Sequence, residues 1–177
     1  LCSRIRPSAS GCFVSTKEVS RSMQIKKLLF AAVALSIAAG ASAQMKPEDQ
    51  IKFRKAGYAF MSWNMGKIKA QVVDNPASFN KDQVAAAANL IAATASSGMG
   101  ALYGPGTDKD AGNQKTRVKP EFFKEPDEVR KLAMAFTKEA NELQKVAATG
   151  DAAAIKAQFG KTGESCKACH DKFRKDD

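Results

Sequence analysis

After residue 46, apolar residues recur at steps of three and four, a spacing that places them on one face of an α-helix. Four segments carry such a stripe, and they begin near Pro47, Lys81, Pro126 and Asp151. Proline is favoured at the first helical position, and the Asp151 side chain can cap the helix that follows it. No segment convincingly shows the two-residue alternation of a strand. The pattern therefore predicts an all-α protein.

Glycine, asparagine and proline mark the expected helix ends. Asn75-Pro76 ends the first helix, Gly98 stops the second, and Gly150 follows the third in the position that favours a left-handed residue. The connection across residues 98–120 is long and rich in glycine and polar residues, and such loops are usually functional or mobile. Short connections elsewhere predict an antiparallel up-down-up-down four-helix bundle, a fold that builds cofactor sites between facing helices.

Residues 23–43 differ in composition from the helical segments. They contain two lysines, a 13-residue apolar run and the sequence Ala41-Ser42-Ala43, the layout of a cleavable secretory signal peptide. The run is shorter than the roughly 20 residues that span a membrane, so we expect export to the periplasm without a membrane anchor. Residues 1–22 fit no targeting pattern, and we interpret them as an over-extended start. The predicted domain is residues 44–177.

Removal of the leader changes the charge balance. The whole chain has a formal net charge of +10, whereas residues 44–177 hold 22 basic and 17 acidic side chains, a net charge of +5. These basic residues are dispersed, without the Lys/Arg stripe and interleaved aromatic rings of a nucleic-acid site. We therefore expect no nucleic-acid partner.

Cysteine and histidine usage indicates a cofactor. Only Cys166 and Cys169 remain after the leader, and His170, the single histidine of the chain, follows directly. Residues i and i+3 share a helix face, so two thiols can meet two neighbouring vinyl groups of a haem while the adjacent imidazole binds its iron. We predict one covalent haem c per chain, with His170 as an axial iron ligand.

Other interpretations of the motif stay open. A zinc site normally takes four ligands, and two cysteines with one histidine supply three. A thioredoxin-like redox pair accompanies a βαβ pattern, and no strand is predicted before Cys166. A disulfide between residues i and i+3 of one helix has awkward geometry. A helical binding module with an incidental C-x-x-C-H sequence is the remaining alternative.

Four segments together resemble the cytochrome c′ family, the class II c-type cytochromes; they read KPEDQIKFRKAGY, YGPGT, TRVKPEFF and SCKACHDKFRK. The resemblance covers residues 44–177 and implies a four-helix bundle with a covalent haem. It implies that Cys166 and Cys169 form the thioether bonds and that His170 is the proximal ligand.

The resemblance also implies contacts around the haem. Arg54 and Lys55 correspond to a basic–polar pair beside it, with Lys55 in place of the usual glutamine. Thr116 matches a loop position at the haem edge, and Arg174 matches an arginine near the proximal histidine. From the residues alone, a guanidinium on an otherwise apolar stripe needs a partner such as a haem propionate, unless Arg54 reaches solvent or pairs with a helix acid.

The sixth coordination position separates two branches of this family. The low-spin branch has a methionine four residues after the arginine, where this chain has Tyr58. A neutral phenol is a poor iron ligand, so the resemblance implies five-coordinate, high-spin iron with Tyr58 on the distal side. The alternative is that Met61 binds the iron, which would make the protein a low-spin electron-transfer cytochrome. Core filling is the ordinary role of methionines on such a stripe.

An accessible distal side favours the binding of small ligands. We expect a periplasmic haem protein that binds nitric oxide and carbon monoxide and cycles its iron redox state with an unidentified redox partner. No hydrolytic or transferase constellation is present, so we predict no enzyme in the strict sense. The resemblance implies a homodimer, for which small residues such as Ala85–Ala88, Ala92 and Ala93 could allow close helix approach; they fit helix filler equally.

Overall fold

A computed structural model describes residues 45–176, which form four long helices and several short turns. The helices are α1 Pro47–Lys69, α2 Lys81–Ala95, the one-turn α3 Glu121–Lys124, α4 Pro126–Thr149 and α5 Ala152–Phe173. A π-helical turn, Ala70–Asp74, extends α1, and 3₁₀ turns cover Pro76–Ser78 and Met99–Leu102. Within these described residues there is no β-strand, as predicted. The predicted extension, 1–22, and the predicted signal peptide, 23–43, lie outside the described residues.

The helix ends follow the local chemistry that the sequence indicates. Pro47 and Pro126 occupy the first turns of α1 and α4. The Asp151 carboxylate caps α5 by accepting hydrogen bonds from two backbone N–H groups, each at 3.0 Å. Gly98 and Gly150 have φ values of 82° and 80°, the left-handed conformation that glycine adopts without a steric penalty. The predicted boundaries at Pro47, Pro126, Gly150 and Asp151 are confirmed.

The four long helices form the predicted bundle. Helix α1 packs on α2, α2 on α4, and α4 on α5, whereas direct contact between α1 and α5 is sparse. One continuous core joins the helices. It consists of Ile68, Val72, Val84, Ala87, Ala88, Ile91, Ala140, Leu143, Ala147 and Ile155. On α1 this core involves only the second half of the helix, which leaves the first half free to contribute to a site.

Several features of the helix interfaces were not predicted. The apolar spacing along α4 includes Ala133, which is nevertheless exposed, and α2 ends at Ala95, three residues before Gly98. Thr162 and Gln158 are buried because α4 offers them acceptors: both side chains donate to the Glu139 carbonyl oxygen, at 3.2 Å each. The stripe of apolar spacing includes Thr162 but misses Gln158, since a hydrogen bond rather than hydrophobicity permits the burial of the Gln158 side chain.

The long loop, residues 98–120, is fastened to both α1 and α5. The Gly104 N–H donates to Gln50 Oε1 at 2.7 Å, and a Cβ at Gly104 would lie 2.6 Å from that oxygen. At the C-terminal end of α5, the Phe173 carbonyl accepts a hydrogen bond from the Lys119 N–H of the loop at 2.8 Å. The loop therefore bridges the two helices that have little direct contact.

In this part of the chain, no helix combines the length and the hydropathy needed to cross a bilayer.

Candidate haem site

A cavity of about 730 Å³ is lined mainly by residues of α1, α5 and the long loop, with single residues from α2, α3 and α4. Its volume lies within the range of about 300–1,000 Å³ that is usual for ligand and cofactor pockets. All the site residues predicted from the sequence line it. They are Arg54, Lys55, Tyr58, Thr116, Cys166, Cys169, His170 and Arg174. Positions that are up to 120 residues apart in the chain thus meet around one space.

The two thiols of the motif are half-buried and not joined by a disulfide. Burial raises the pKa of the Cys166 thiol, and the neighbouring Cys169 adds to this shift; burial also raises the pKa of Cys169. Redox-active pairs instead require a lowered thiol pKa, because the thiolate is the nucleophile. The environment therefore disfavours the thioredoxin-like interpretation.

His170 lies at the rim of the cavity, one residue after the second thiol, and is exposed in the described chain. The Arg174 guanidinium nitrogen Nη1 lies 3.4 Å from His170 Nδ1. Arg174 directly follows the last residue of α5 and has an extended backbone, which forms a bridge with Val118 of the long loop. The arginine is thus beside the imidazole, on the side that does not bear Nε2.

Arg54 is buried, with only 3% of its surface exposed, and its partners come from the long loop. Its Nη2 group donates to the Thr107 carbonyl at 2.5 Å and to Thr116 Oγ1 at 2.6 Å, and Nη1 donates to the Leu102 carbonyl at 3.3 Å. It therefore neither reaches solvent nor pairs with a helix acid. Burial lowers the pKa of Arg54, yet guanidinium stays charged in proteins. Its three hydrogen-bond acceptors are neutral, and none of the ion pairs within residues 45–176 includes Arg54.

On the same side of the cavity, two phenols form a pair. The Tyr103 hydroxyl donates to the Tyr58 hydroxyl at 3.2 Å. Burial raises the pKa of both groups, and the hydrogen bond from Tyr103 partly opposes the shift at Tyr58. Both side chains are consequently neutral hydroxyls at physiological pH. Met61 also lines the cavity and is 5% exposed, so Tyr58 and Met61 both face the space in which a cofactor would bind.

The composition of the cavity wall fits a haem. Its cationic side chains are Arg54, Lys55, Lys115, Arg117 and Arg174, and no aspartate or glutamate of the described chain lines it. Aromatic and aliphatic residues supply most of the remaining surface; they include Met65, Ile91, Phe122, Phe136 and Phe173. An apolar macrocycle with two carboxylate groups matches such a wall in both polarity and charge.

Two contributors to this site were not identified from the sequence. Tyr103 and Phe122 line the cavity, and their rings stack with centroids 4.4 Å apart. Tyr103 belongs to the YGPGT segment, and Phe122 to TRVKPEFF. Their aromatic character was the available signal, but no periodicity relates residues in a loop and a one-turn helix to the stripe of α1.

Comparison with known proteins places the chain in a family. The family model described as Cytochrome C′ matches residues 49–174. The curated cytochrome c′ of Allochromatium vinosum is 57% identical over 143 residues, which are 80% of this chain and 91% of that protein. A cytochrome c′ of Rhodocyclus tenuis is 56% identical over 132 residues, 75% of this chain and 98% of the relative.

Solved structures agree with the sequence comparison. One is described as a cytochrome c′ with an unusual ligand-controlled dimer dissociation; it is 57% identical, with a TM-score of 0.73 over 76% of this chain and 100% of its own. A nitric oxide complex of a mutant of cytochrome c prime from Alcaligenes xylosoxidans is 30% identical, with a TM-score of 0.65 over 75% and 98% of the two chains. A carbon monoxide-bound variant from the same organism aligns with a TM-score of 0.64 at 30% identity, over 74% and 98% of the two chains. The bundle, the cavity and these relatives agree, and the chain belongs to the cytochrome c′ family.

Proposed function

We propose that this protein is a periplasmic c-type cytochrome with one covalent haem and a five-coordinate iron that binds nitric oxide and carbon monoxide. Cys166 and Cys169 would form the thioether bonds, and His170 would be the axial ligand. A haem held there would supply an iron centre for one-electron redox cycling and for binding of these gases. The relatives with nitric oxide and carbon monoxide bound support this choice of ligands.

One observation carries the proposal: both thiols, the single histidine and a buried arginine whose hydrogen-bond partners in residues 45–176 are all neutral line the same cavity. Among residues 45–176 no three His, Cys, Asp or Glu side chains converge to hold a metal ion. A haem would bring the four nitrogens of its porphyrin to the iron and would need only one axial ligand from the protein, which His170 would supply.

The chain's own residues divide the tasks around the cofactor. Arg54 would attract a propionate, because its buried charge has only neutral partners. Thr116 would hold the loop against Arg54 at the cofactor edge. Arg174 would orient the His170 imidazole through its contact with Nδ1. Lys55 lines the cavity, is exposed, and would add positive charge at its rim.

Absorption spectra of the purified protein, oxidised and reduced, test this proposal directly. A lone histidine ligand is expected to give high-spin spectra in both oxidation states. Coordination by Met61 would instead give low-spin bands with a sulfur-to-iron charge-transfer feature and would establish the electron-transfer alternative. A colourless protein, produced in a host that attaches haem, would contradict the haem assignment itself.

We also propose that the protein forms a homodimer through the outer face of α1. Phe53, Phe60 and Trp63 are 50%, 45% and 59% exposed, and the rings of Phe60 and Trp63 stack with centroids 5.7 Å apart. Such a cluster of large exposed side chains is typical of an interaction surface. The small residues proposed from the sequence are less suitable: Ala87, Ala88 and Ala92 are buried within the bundle.

Replacement of Trp63 by glutamate is expected to weaken dimerisation at least ~30-fold, because a large aromatic anchor at an interface contributes 2 kcal/mol or more. Analytical ultracentrifugation over a concentration series measures the dissociation constant. In proteins that retain it, Trp63 is the single tryptophan, and its fluorescence reports whether its side chain becomes buried on dimerisation. Met134→Glu is a matched control, since Met134 is 66% exposed on α4. Equal dimerisation of both variants and the wild type would exclude this surface.

A further inference from the structure

The loop reaches the Tyr58 phenol through one side chain, Tyr103. The Tyr103 hydroxyl donates a hydrogen bond to the Tyr58 hydroxyl at 3.2 Å. The two residues are 45 positions apart, on the long loop and on α1. Their contact therefore depends on how the loop is held against the helix.

Tyr103 is held from both faces of its ring. The Arg54 guanidinium carbon lies 4.6 Å from the ring centroid, within the distance of a cation–π interaction. The Phe122 ring stacks on Tyr103 at 4.4 Å with an interplanar angle of 20°. Phe122 in turn makes an edge contact with Phe173, the last residue of α5, at 5.6 Å. The contacts with Arg54 and Phe122 hold the Tyr103 ring in place, and its hydroxyl donates to Tyr58.

Tyr58 has less support of its own. Its side chain lines the cavity and is 40% exposed in the described chain, and its hydroxyl accepts a hydrogen bond from Tyr103. Tyr58 follows Arg54 by four residues, so the two side chains lie on the same face of α1. Tyr103 contacts both of them, Arg54 through its ring and Tyr58 through its hydroxyl. Of the two phenols, Tyr103 is therefore the fixed one.

We propose that Tyr103 is a positioning residue for Tyr58: its hydrogen bond holds the Tyr58 phenol in place, so that entry of a diatomic ligand requires the two hydroxyls to separate. This inference rests on the proposed function, in which Tyr58 lies on the distal side. The long loop would thus help to control ligand access, because it carries Tyr103. Arg54 of α1 and Phe122 of α3 hold the Tyr103 ring in position. Burial raises the pKa of Tyr103, so its hydroxyl keeps the proton that it donates to Tyr58.

The first arm of the test is carbon monoxide association with the reduced holoprotein, followed by flash photolysis. Tyr103→Phe retains the clamped ring and removes only the hydroxyl, and we expect association to become about five-fold faster, as for loss of one hydrogen bond. Because one bond joins the two hydroxyls, Tyr58→Phe and the double variant should show the same increase. Rates that instead multiply in the double variant would overturn the proposal, as would an unchanged rate in Tyr103→Phe.

The second arm does not depend on ligand binding. The chain contains two tyrosines, Tyr58 and Tyr103, so ¹³Cζ-tyrosine labelling of the holoprotein gives two NMR signals, each assigned by its loss in a variant. We expect the Tyr58 signal to shift in Tyr103→Phe and to stay in place in Phe79→Leu, which removes a ring packed against the core cluster. An unmoved Tyr58 signal would overturn the proposed contact. Failure of the wild-type protein to bind carbon monoxide would instead overturn the proposed function.

Discussion

Replacing Cys166 and Cys169 together by alanine is expected to abolish covalent haem attachment completely. In the proposed function each thiol would supply the sulfur of one bond to the cofactor, and the described chain holds no other cysteine. Haem staining of the protein after denaturing electrophoresis, with mass spectrometry of the intact chain, measures the attachment. The single variants are expected to retain one bond each and to stain weakly, since the second thiol of the pair remains half-buried at the cavity.

A matched control separates the thiols from their helix. Ser165 also lines the cavity next to Cys166, and its hydroxyl donates to the Thr162 carbonyl at 2.7 Å. Ser165→Ala should therefore leave haem staining at the wild-type level. Haem that stays with the double-cysteine variant after denaturation would contradict the assignment. Haem lost only on denaturation would show that the cavity and His170 bind the cofactor without the covalent bonds.

Replacing Tyr58 by alanine is expected to speed carbon monoxide association about 10- to 100-fold. A large side chain that packs in the cavity must be displaced by an entering ligand, at a cost of about 1.5–3 kcal/mol, and each 1.4 kcal/mol corresponds to about ten-fold in rate. Flash photolysis of the reduced protein measures this rate. An unchanged rate would indicate that Tyr58 does not limit access to the iron.

A second substitution at this position tests its location relative to the metal. Tyr58→Met introduces the thioether found in the low-spin branch and is expected to convert the iron to a six-coordinate, low-spin state. Met61→Leu is the matched control, because Met61 lines the same cavity and is 5% exposed. We expect Met61→Leu to leave the optical spectrum unchanged, and a spectrum that changes from low to high spin would identify Met61 as the ligand.

The helices could be predicted because their signals are local. Pro47, Pro126, Asp151 and Gly150 each act on the backbone within one turn, so their effects do not depend on the rest of the fold. The spacing of apolar residues likewise identified most of the core. Gln158, whose burial depends on a partner in another helix, was correspondingly missed.

The motif alone identified the chemistry of the site, whereas the loop's contribution came from the tertiary structure. The sequence suggested a propionate as the partner of Arg54, and the structure shows loop acceptors that orient its guanidinium. Thr116 was placed at the cofactor edge, and its hydroxyl is found accepting a hydrogen bond from Arg54. These contacts span 48 to 62 residues, a separation over which no periodic pattern relates one position to another.

By itself, the sequence determined the four-helix pattern and the residue types available to a haem: Cys166, Cys169 and His170 on one turn of one helix. Both follow from interactions between residues three or four apart, which the order of amino acids specifies directly. Only the tertiary structure decided that Arg54 has neutral partners, that Tyr103 reaches Tyr58, and that no acid among residues 45–176 lines the cavity. These properties depend on which distant segments meet, and that is settled by packing of the whole bundle.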